Sequence, residues 1–199
     1  MRVPVAVFVL CMTAMSVQAQ EIVSAYTDID TEADCSVFAA AQEGDGDWAN
    51  LACSGYKGYP VIVYYADARD SVFYGFPPAG DLAPVWESFD AFNSFGPRIE
   101  WRIEKDGARE TPFATIHRWF VSDPDGGDEK IEVLVVEKVG QLHERDGCAV
   151  GYVVATGNAG ANEKARAIAD NQARGFVCGD QPPIEAGSVP VPSLSRGDY

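Results

Sequence analysis

Four cysteines in the body of the chain, together with an apolar N-terminal stretch, constrain what this sequence can fold into more than any other feature. The stretch carries one arginine and a run of apolar residues. It ends with Val17 and Ala19, the small residues that a signal peptidase recognises at positions −3 and −1 of its site. We therefore expect residues 1–19 to be a signal peptide, cleaved near Ala19, whose removal also takes away Cys11. The even number of cysteines left is typical of disulfide bonding in a periplasmic or secreted protein.

The four remaining cysteines are Cys35, Cys53, Cys148 and Cys178, and they can pair in three ways that sequence alone does not distinguish. Proximity favours Cys35 with Cys53 and Cys148 with Cys178, because each pair brackets a compact segment. Each bond would remove roughly 3 kcal/mol of chain entropy from the unfolded state. No C-x-x-C spacing and no neighbouring histidine accompanies them, which disfavours a zinc site or a redox pair. We expect structural disulfides, with no metal and no cofactor.

The charge balance limits the kinds of partner. The chain has 30 acidic and 15 basic residues and a net charge of −15. Such a surface repels nucleic acid and anionic lipid, so we expect no nucleic-acid binding. No segment after the leader is apolar enough for a membrane span. A cationic protein of the envelope would be attracted, although solubility alone is the commoner reason for such a charge.

Strand patterns dominate the middle of the chain. Residues 61–66 and 71–76 are β-branched and aromatic runs on either side of a turn at 67–70, which indicates a hairpin. Around Trp101, apolar and charged residues alternate with the period of a half-buried antiparallel strand. Further strands are predicted at 113–121, 131–139 and 148–156.

The pattern becomes helical after the last of these strands. Small and apolar residues fall on one helical stripe that ends before Gly175, namely Ala161, Ala165, Ile168, Ala169 and Gln172. The predicted fold is therefore α+β, an antiparallel β-sheet meander with one C-terminal helix packed on it. We expect residues 20–180 to form a single globular domain. Residues 181–199 are rich in proline and poor in apolar side chains, and are predicted to be a flexible tail.

Three strings carry a resemblance to known sequences: Ala52-Cys53-Ser54-Gly55-Tyr56-Lys57-Gly58-Tyr59-Pro60, Gly96-Pro97-Arg98-Ile99-Glu100-Trp101-Arg102 and Asp170-Asn171-Gln172-Ala173-Arg174-Gly175-Phe176-Val177-Cys178. With them, the chain resembles small, uncharacterised exported (periplasmic) proteins of alphaproteobacteria. The resemblance covers most of the predicted domain but not the proline-rich tail. It implies export and a single-domain architecture, and it brings no known activity.

Catalytic and metal-binding patterns are sparse. The chain has no G-x-S-x-G, H-E-x-x-H, Walker or G-x-G-x-x-G motif in a suitable context. Of its two histidines, His117 lies in a predicted strand and His143 in a charged loop. Two glycine-rich acidic turns could offer oxygen ligands to calcium, one with Asp123, Asp125 and Asp128 and the other with Glu43, Asp45 and Asp47. Neither has EF-hand spacing, and tight turns select Asp and Gly for backbone reasons.

The best candidate for a binding surface is aromatic. Tyr56, Lys57 and Tyr59 lie in a glycine-flanked loop beside a hairpin rich in aromatic residues. Burial in a core is the commoner explanation of such a hairpin, but it explains the aromatic residues of the loop less well. We therefore expect a noncatalytic periplasmic binding module for a cationic protein partner. The alternative is an envelope hydrolase with an unrecognised carboxylate and histidine site.

Overall fold

The structure, a computed structural model, describes residues 20–80, 85–123, 126–127 and 129–197. Within these ranges the elements are β1 (Glu21–Asp28), β2 (Cys35–Ala40), β3 (Trp48–Cys53), β4 (Val61–Ala66), β5 (Arg69–Tyr74), β6 (Trp86–Phe89), β7 (Asn93–Asp106), β8 (Arg109–Ser122), β9 (Lys130–Lys138), β10 (Ala149–Val154), α1 (Ala161–Gln172), β11 (Ile184–Glu185) and β12 (Leu194–Gly197). The predicted class is confirmed, since antiparallel sheets, a single C-terminal α-helix and both disulfides are present. The strands divide between two main sheets, however, and do not form one.

The smaller of the two is a four-stranded antiparallel meander in the order β2-β3-β4-β5. Its hairpin turn is shorter than the sequence suggests, because only Asp67 and Ala68 lie between β4 and β5. Both have positive φ, 50° and 57°, as in the two-residue turns whose twist matches that of paired strands. As a result, Asp70 belongs to β5 and not to the turn.

The larger sheet has the order β1-β7-β8-β9-β10-β11. The long hairpin of β7 and β8 forms its centre, with β1 antiparallel to β7 at one edge. The expected alternation in β7 is present, since Ile99, Trp101 and Ile103 are buried on the face toward the smaller sheet. A separate pair of strands, β6 and β12, lies outside both sheets.

The main core fills the space between the two sheets. Residues of β4 and β5 meet residues of the central strands of the larger sheet. Its largest fully buried members are aromatic: Tyr74, Phe89, Trp101 and Trp119. Their rings contact one another edge-on, with centroids 5.8 to 6.0 Å apart for Phe89 with Trp119 and Tyr74 with Trp101, an arrangement that adds to the stabilisation from burial.

The helix α1 covers the opposite face of the larger sheet. Its predicted stripe is the buried face, where Ala161, Ala165, Ile168 and Ala169 pack into a second core. The charged residues that alternate in β7 also lie on this side. Arg166 donates two hydrogen bonds to Glu100, of 2.7 and 3.0 Å, and Arg102 donates two to Asp170, of 2.8 and 2.7 Å. These paired bonds fix the helix on the sheet.

Both disulfides have the predicted pairing. Cys35 and Cys53 are register partners in β2 and β3, with Cα atoms 4.0 Å apart. Cys148 precedes β10 and is joined to Cys178, which follows α1. The second bond therefore ties the helix to the sheet that it covers. In the described part of the chain, no helix has the length and apolarity needed to cross a membrane.

The C-terminal segment, which its composition predicts to be flexible, pairs with two strands of the domain. β11 pairs in parallel with β10, and β12 pairs antiparallel with β6. Val189 and Leu194 pack against the main core, and Tyr152 Oη donates a hydrogen bond of 3.2 Å to the Pro192 carbonyl. The composition of the segment does not predict these contacts, because many of them are backbone hydrogen bonds to strands that are far away in sequence.

Candidate binding cleft

A cleft of about 650 Å³ lies between the two sheets, where the chain leaves β1 and crosses toward β2. Its volume is in the range of small-molecule and side-chain binding sites. Apolar side chains form much of its wall: Ile29, Ala49, Leu51, Val63, Phe95 and Pro97. Three carboxyl groups from different parts of the chain also line it, those of Asp28, Asp30 and Asp70. The cleft thus combines an apolar wall with negative charge.

The environment of Asp70 in the cleft changes the pKa of its carboxyl group. The backbone N–H of Asp70 donates to Asn93 Oδ1 at 3.1 Å, which holds the start of β5 against β7. Burial raises the pKa of Asp70 to about 6, although a hydrogen bond from the Phe95 backbone partly opposes this. Among the described residues Asp70 forms no ion pair. A cation in the cleft would therefore meet a partly desolvated carboxylate with no competing positive charge.

The other two carboxyl groups are already engaged. Asp28 accepts a hydrogen bond of 2.7 Å from Arg98, and both side chains are largely exposed. Asp30 Oδ1 accepts the backbone N–H groups of Glu32 and Ala33 at 2.9 and 3.2 Å, which shapes the turn between β1 and β2. They contribute negative charge to the cleft, and Asp70 differs from them in being largely buried without a cationic partner in the described ranges.

Negative charge is concentrated in the part of the chain that forms this end of the molecule. Residues 20–56 include no Lys, Arg or His, and their acidic residues are Glu21, Asp28, Asp30, Glu32, Asp34, Glu43, Asp45 and Asp47. This segment contains β1, β2 and β3. The uneven distribution adds to the net charge of −15. Because residues 28–31, 49 and 51 of this segment line the cleft, it gives the cleft an acidic side that would steer a cation toward it.

His117 lies in the core and not in the cleft. It is 1% exposed, and its Nε2 is 2.6 Å from the carbonyl oxygen of Gly96. Since a carbonyl oxygen can only accept, Nε2 carries the proton and Nδ1 is free to accept from Tyr74 Oη, also at 2.6 Å. Burial lowers the pKa of His117 to about 4. The ring is therefore neutral, with both nitrogen atoms satisfied, and is poorly placed to act on a substrate.

Glu137 is a second buried group without access to solvent. It is 4% exposed and faces the main core from β9, opposite Thr115 of β8. Burial and the neighbouring charge of Glu87 raise its pKa well above the usual value. A substrate could not reach Glu137 or His117 unless the two sheets separated. We therefore assign neither a catalytic role.

The predicted aromatic loop is held against the body of the protein. Tyr56 Oη donates to Glu110 at 2.7 Å, and Lys57 pairs with the same carboxylate. These contacts, together with Lys105, lower the pKa of Glu110 to about 2. Tyr59 Oη donates to Gln141 at 3.1 Å. Because each of the three side chains has an intramolecular partner, the loop lacks the free groups that Asp70 provides in the cleft.

The acidic turns give no metal site in the region that can be described. Asp125 and Asp128 of the first turn lie outside the described residues. In the second turn, Asp47 accepts a hydrogen bond of 2.8 Å from Tyr65. No group of three or more His, Cys, Asp or Glu side chains arranged to hold a metal ion occurs in the described ranges.

No protein-family model matches this chain, and no curated protein or solved structure matches it either. The geometry and charge of the cleft therefore carry the functional argument. The sequence contains no local signal for this cleft, because its carboxyl groups come from a strand end, a connecting turn and a hairpin that are distant along the chain. The run of residues 20–56 without a positive charge was the one visible indication of an acidic side.

Proposed function

We propose that this protein is a noncatalytic binding module that is exported to the bacterial periplasm and captures a cationic protein partner through the cleft between its sheets. The observation that carries the proposal is the carboxyl group of Asp70, which has no ion pair in the described part of the chain and lies beside the apolar side chains of Leu51, Val63 and Phe95. A lysine or arginine side chain suits such a site, because its aliphatic stem packs on apolar surface while its charged end meets a carboxylate.

Charge supports capture of a cation in two ways. The acidic side formed by residues 20–56 increases the rate of encounter at low ionic strength. The partly desolvated Asp70 then interacts more strongly with a cation than an exposed carboxylate does, since a lower local dielectric strengthens charge–charge attraction. The alternative, an envelope hydrolase with a carboxylate and histidine site, has less support because His117 does not line the cleft.

Affinity capture with the mature protein tests the proposal. Immobilised wild-type protein is exposed to an envelope extract at low and then physiological salt, and the captured protein is purified for titration. We expect a basic partner whose Kd rises with salt and rises about tenfold or more in Asp70→Asn. Asp106→Asn, which removes an exposed charge at the end of β7 far from the cleft, is the matched control and should change Kd less than about twofold.

Two results would contradict the proposal. One is a partner that binds equally well to wild type and to Asp70→Asn, because the cleft would then not be the site of contact. The other is hydrolysis of an envelope substrate by the purified protein, with loss of this activity on substitution in the cleft, because the module would then be an enzyme.

A further inference from the structure

The strand β2 forms an open edge of the smaller sheet. It pairs with β3 on one side, and in the described part of the chain no strand pairs with its other side. Cys35 and its partner Cys53 are a closely spaced pair, with Cα atoms 4.0 Å apart. In an antiparallel ladder, such a short Cα–Cα distance is typical of a non-hydrogen-bonded pair. The backbone N–H and C=O groups of each residue in such a pair point away from the partner strand. By alternation, Cys35 and Val37 direct their backbone groups to the open edge.

The hydrogen bonds at both ends of β2 agree with this orientation. Ser54 N–H donates to the Asp34 carbonyl, and Ala41 N–H donates to the Trp48 carbonyl. Asp34 therefore directs its carbonyl toward β3, so that Cys35 and Val37 face outward. A β-bulge at Phe38 interrupts the register between Val37 and Ala39. The straight part of the edge is the short run of residues 35–37.

This edge carries a β-bulge but lacks two other features that usually block strand pairing. Charged side chains and proline are the common protections of an exposed edge, and the sequence of β2, CSVFAA, contains neither. Val37 is 60% exposed and Phe38 is 40% exposed. Val37 lies directly opposite Leu51, which lines the cleft. The apolar wall of the cleft therefore continues to the open edge.

Charge selects the kind of segment that fits this edge. The strand lies within residues 20–56, which have eight acidic and no basic residues, as named above. A second copy of this chain would bring the same negative charge to the interface and be repelled. A basic segment would be attracted, because exposed carboxylates flank β2 in the chain, Asp34 before it and Glu43 after it.

We propose that β2 receives an extended, basic segment of the partner as an added fifth strand of the smaller sheet, with basic side chains of that segment near the exposed carboxylates that flank β2, Asp34 before it and Glu43 after it. Main-chain hydrogen bonds to Cys35 and Val37 supply affinity, and these carboxylates select the charge, as in other cases of strand addition. This inference rests on the proposed function, because it assumes a cationic protein partner.

Peptides that differ only in their backbone amides test the inference. The probe is a capped hexapeptide of alternating arginine and valine, with the arginine-to-glutamate peptide as the charge control. Two further versions are N-methylated, one at every arginine and the other at every valine. We expect the wild-type protein to bind the probe, to bind the glutamate peptide at least about tenfold more weakly, and to discriminate between the methylated versions, since one set of amides faces β2 and the other faces away.

A variant of the edge provides an independent measurement. Val37→Pro removes an N–H that faces outward and leaves the hydrogen bonds to β3 in place, a position where proline is tolerated. It should weaken probe binding about tenfold or more, whereas Val37→Thr, which keeps the N–H, should weaken it less than about threefold. Because Val37→Pro could disturb folding, hydrogen exchange of the wild-type Val37 amide is measured as well, and should slow on addition of the probe.

The outcomes separate the two proposals. If Asp70→Asn weakens probe binding while both methylated peptides bind like the unmodified one, the cleft binds cations and strand addition is wrong. If one methylated peptide fails to bind while Asp70→Asn has no effect, strand addition stands, and the cleft, which is beyond the reach of a strand added at β2, is tested by the captured partner alone. If the probe does not bind at all, or if the Val37 amide exchanges equally fast with and without bound probe, the inference is overturned.

Discussion

Tyr74 of the smaller sheet donates a hydrogen bond of 2.6 Å to Nδ1 of His117 in the larger sheet, at a point where both side chains are 1% exposed. His117 in turn donates to the carbonyl of Gly96, a residue that lines the cleft. A polar link thus runs from one sheet through the core to the wall of the cleft. The histidine that sequence analysis considered for catalysis is instead a structural connection between the sheets.

Replacement of Tyr74 by phenylalanine should destabilise the protein. The variant keeps the ring but leaves Nδ1 of His117 buried without a partner, at a cost of about 1–3 kcal/mol. Urea unfolding monitored by tryptophan fluorescence measures the loss. Tyr59→Phe is the matched control, because its hydroxyl group donates to Gln141 in a half-buried position, and its effect should be smaller. Equal stability of Tyr74→Phe and wild type would contradict the assigned role.

His117 should make the protein sensitive to acid. Its pKa is about 4 in the folded state against 6.5 as the ordinary value. Between these values the unfolded chain binds a proton that the folded chain does not, so stability from this residue falls as the pH is lowered from about 6.5 to 4. The difference in unfolding free energy between wild type and His117→Gln should shrink by up to about 3 kcal/mol across this window. A constant difference would show that His117 has the same pKa in the folded and unfolded states.

Asp70 should have the opposite dependence on pH. Its pKa is raised to about 6 in the folded state from 3.8. The cost of its buried charge is fully present above pH 6 and disappears as the pH falls to 3.8. Asp70→Asn should therefore be more stable than wild type by about 2 kcal/mol at pH 7, allowing for partial exposure, with the gap closing near pH 4. Unfolding curves at several pH values check this, and a variant less stable than wild type at pH 7 would contradict it.

The C-terminal segment should contribute measurably to stability. Truncation after Asp180 removes β11 and β12 together with the packing of Val189 and Leu194 on the core. We expect a loss of about 2–4 kcal/mol, from apolar burial alone, in urea unfolding. Adding the removed segment as a separate peptide to the same shortened protein should restore part of this stability. If the shortened protein is as stable as the full chain, the segment is flexible as its composition predicts.

Local patterns in the sequence predicted the elements that depend on neighbouring residues. The span of β4 was correct, and so was the stripe of α1 except for Gln172, which is exposed, because helical and alternating periods are visible within a short window. The pairings of Cys35 and Cys148 were also correct, since each partner is near in sequence. Strands β2 and β3 were missed because they are short, half exposed and lack a clear alternation.

The division into two sheets and the cleft between them could not be predicted from the sequence. They depend on which strands pair over long distances, and neither hydrophobic period nor turn residues specify this. Asp70 illustrates the difficulty: in the sequence it reads as a turn residue beside Asp67, whereas in the fold it is a strand residue facing a cavity. Its role depends on the distant residues Asp28 and Phe95 that the fold brings to it.

The bond between Cys35 and Cys53 bears on how the open edge can be used. Because it joins β2 covalently to its neighbour in the same molecule, β2 cannot leave its sheet and be exchanged for the equivalent strand of another copy. In an oxidising compartment, the bond therefore prevents domain swapping through this strand. An incoming chain can extend the sheet but cannot replace a part of it.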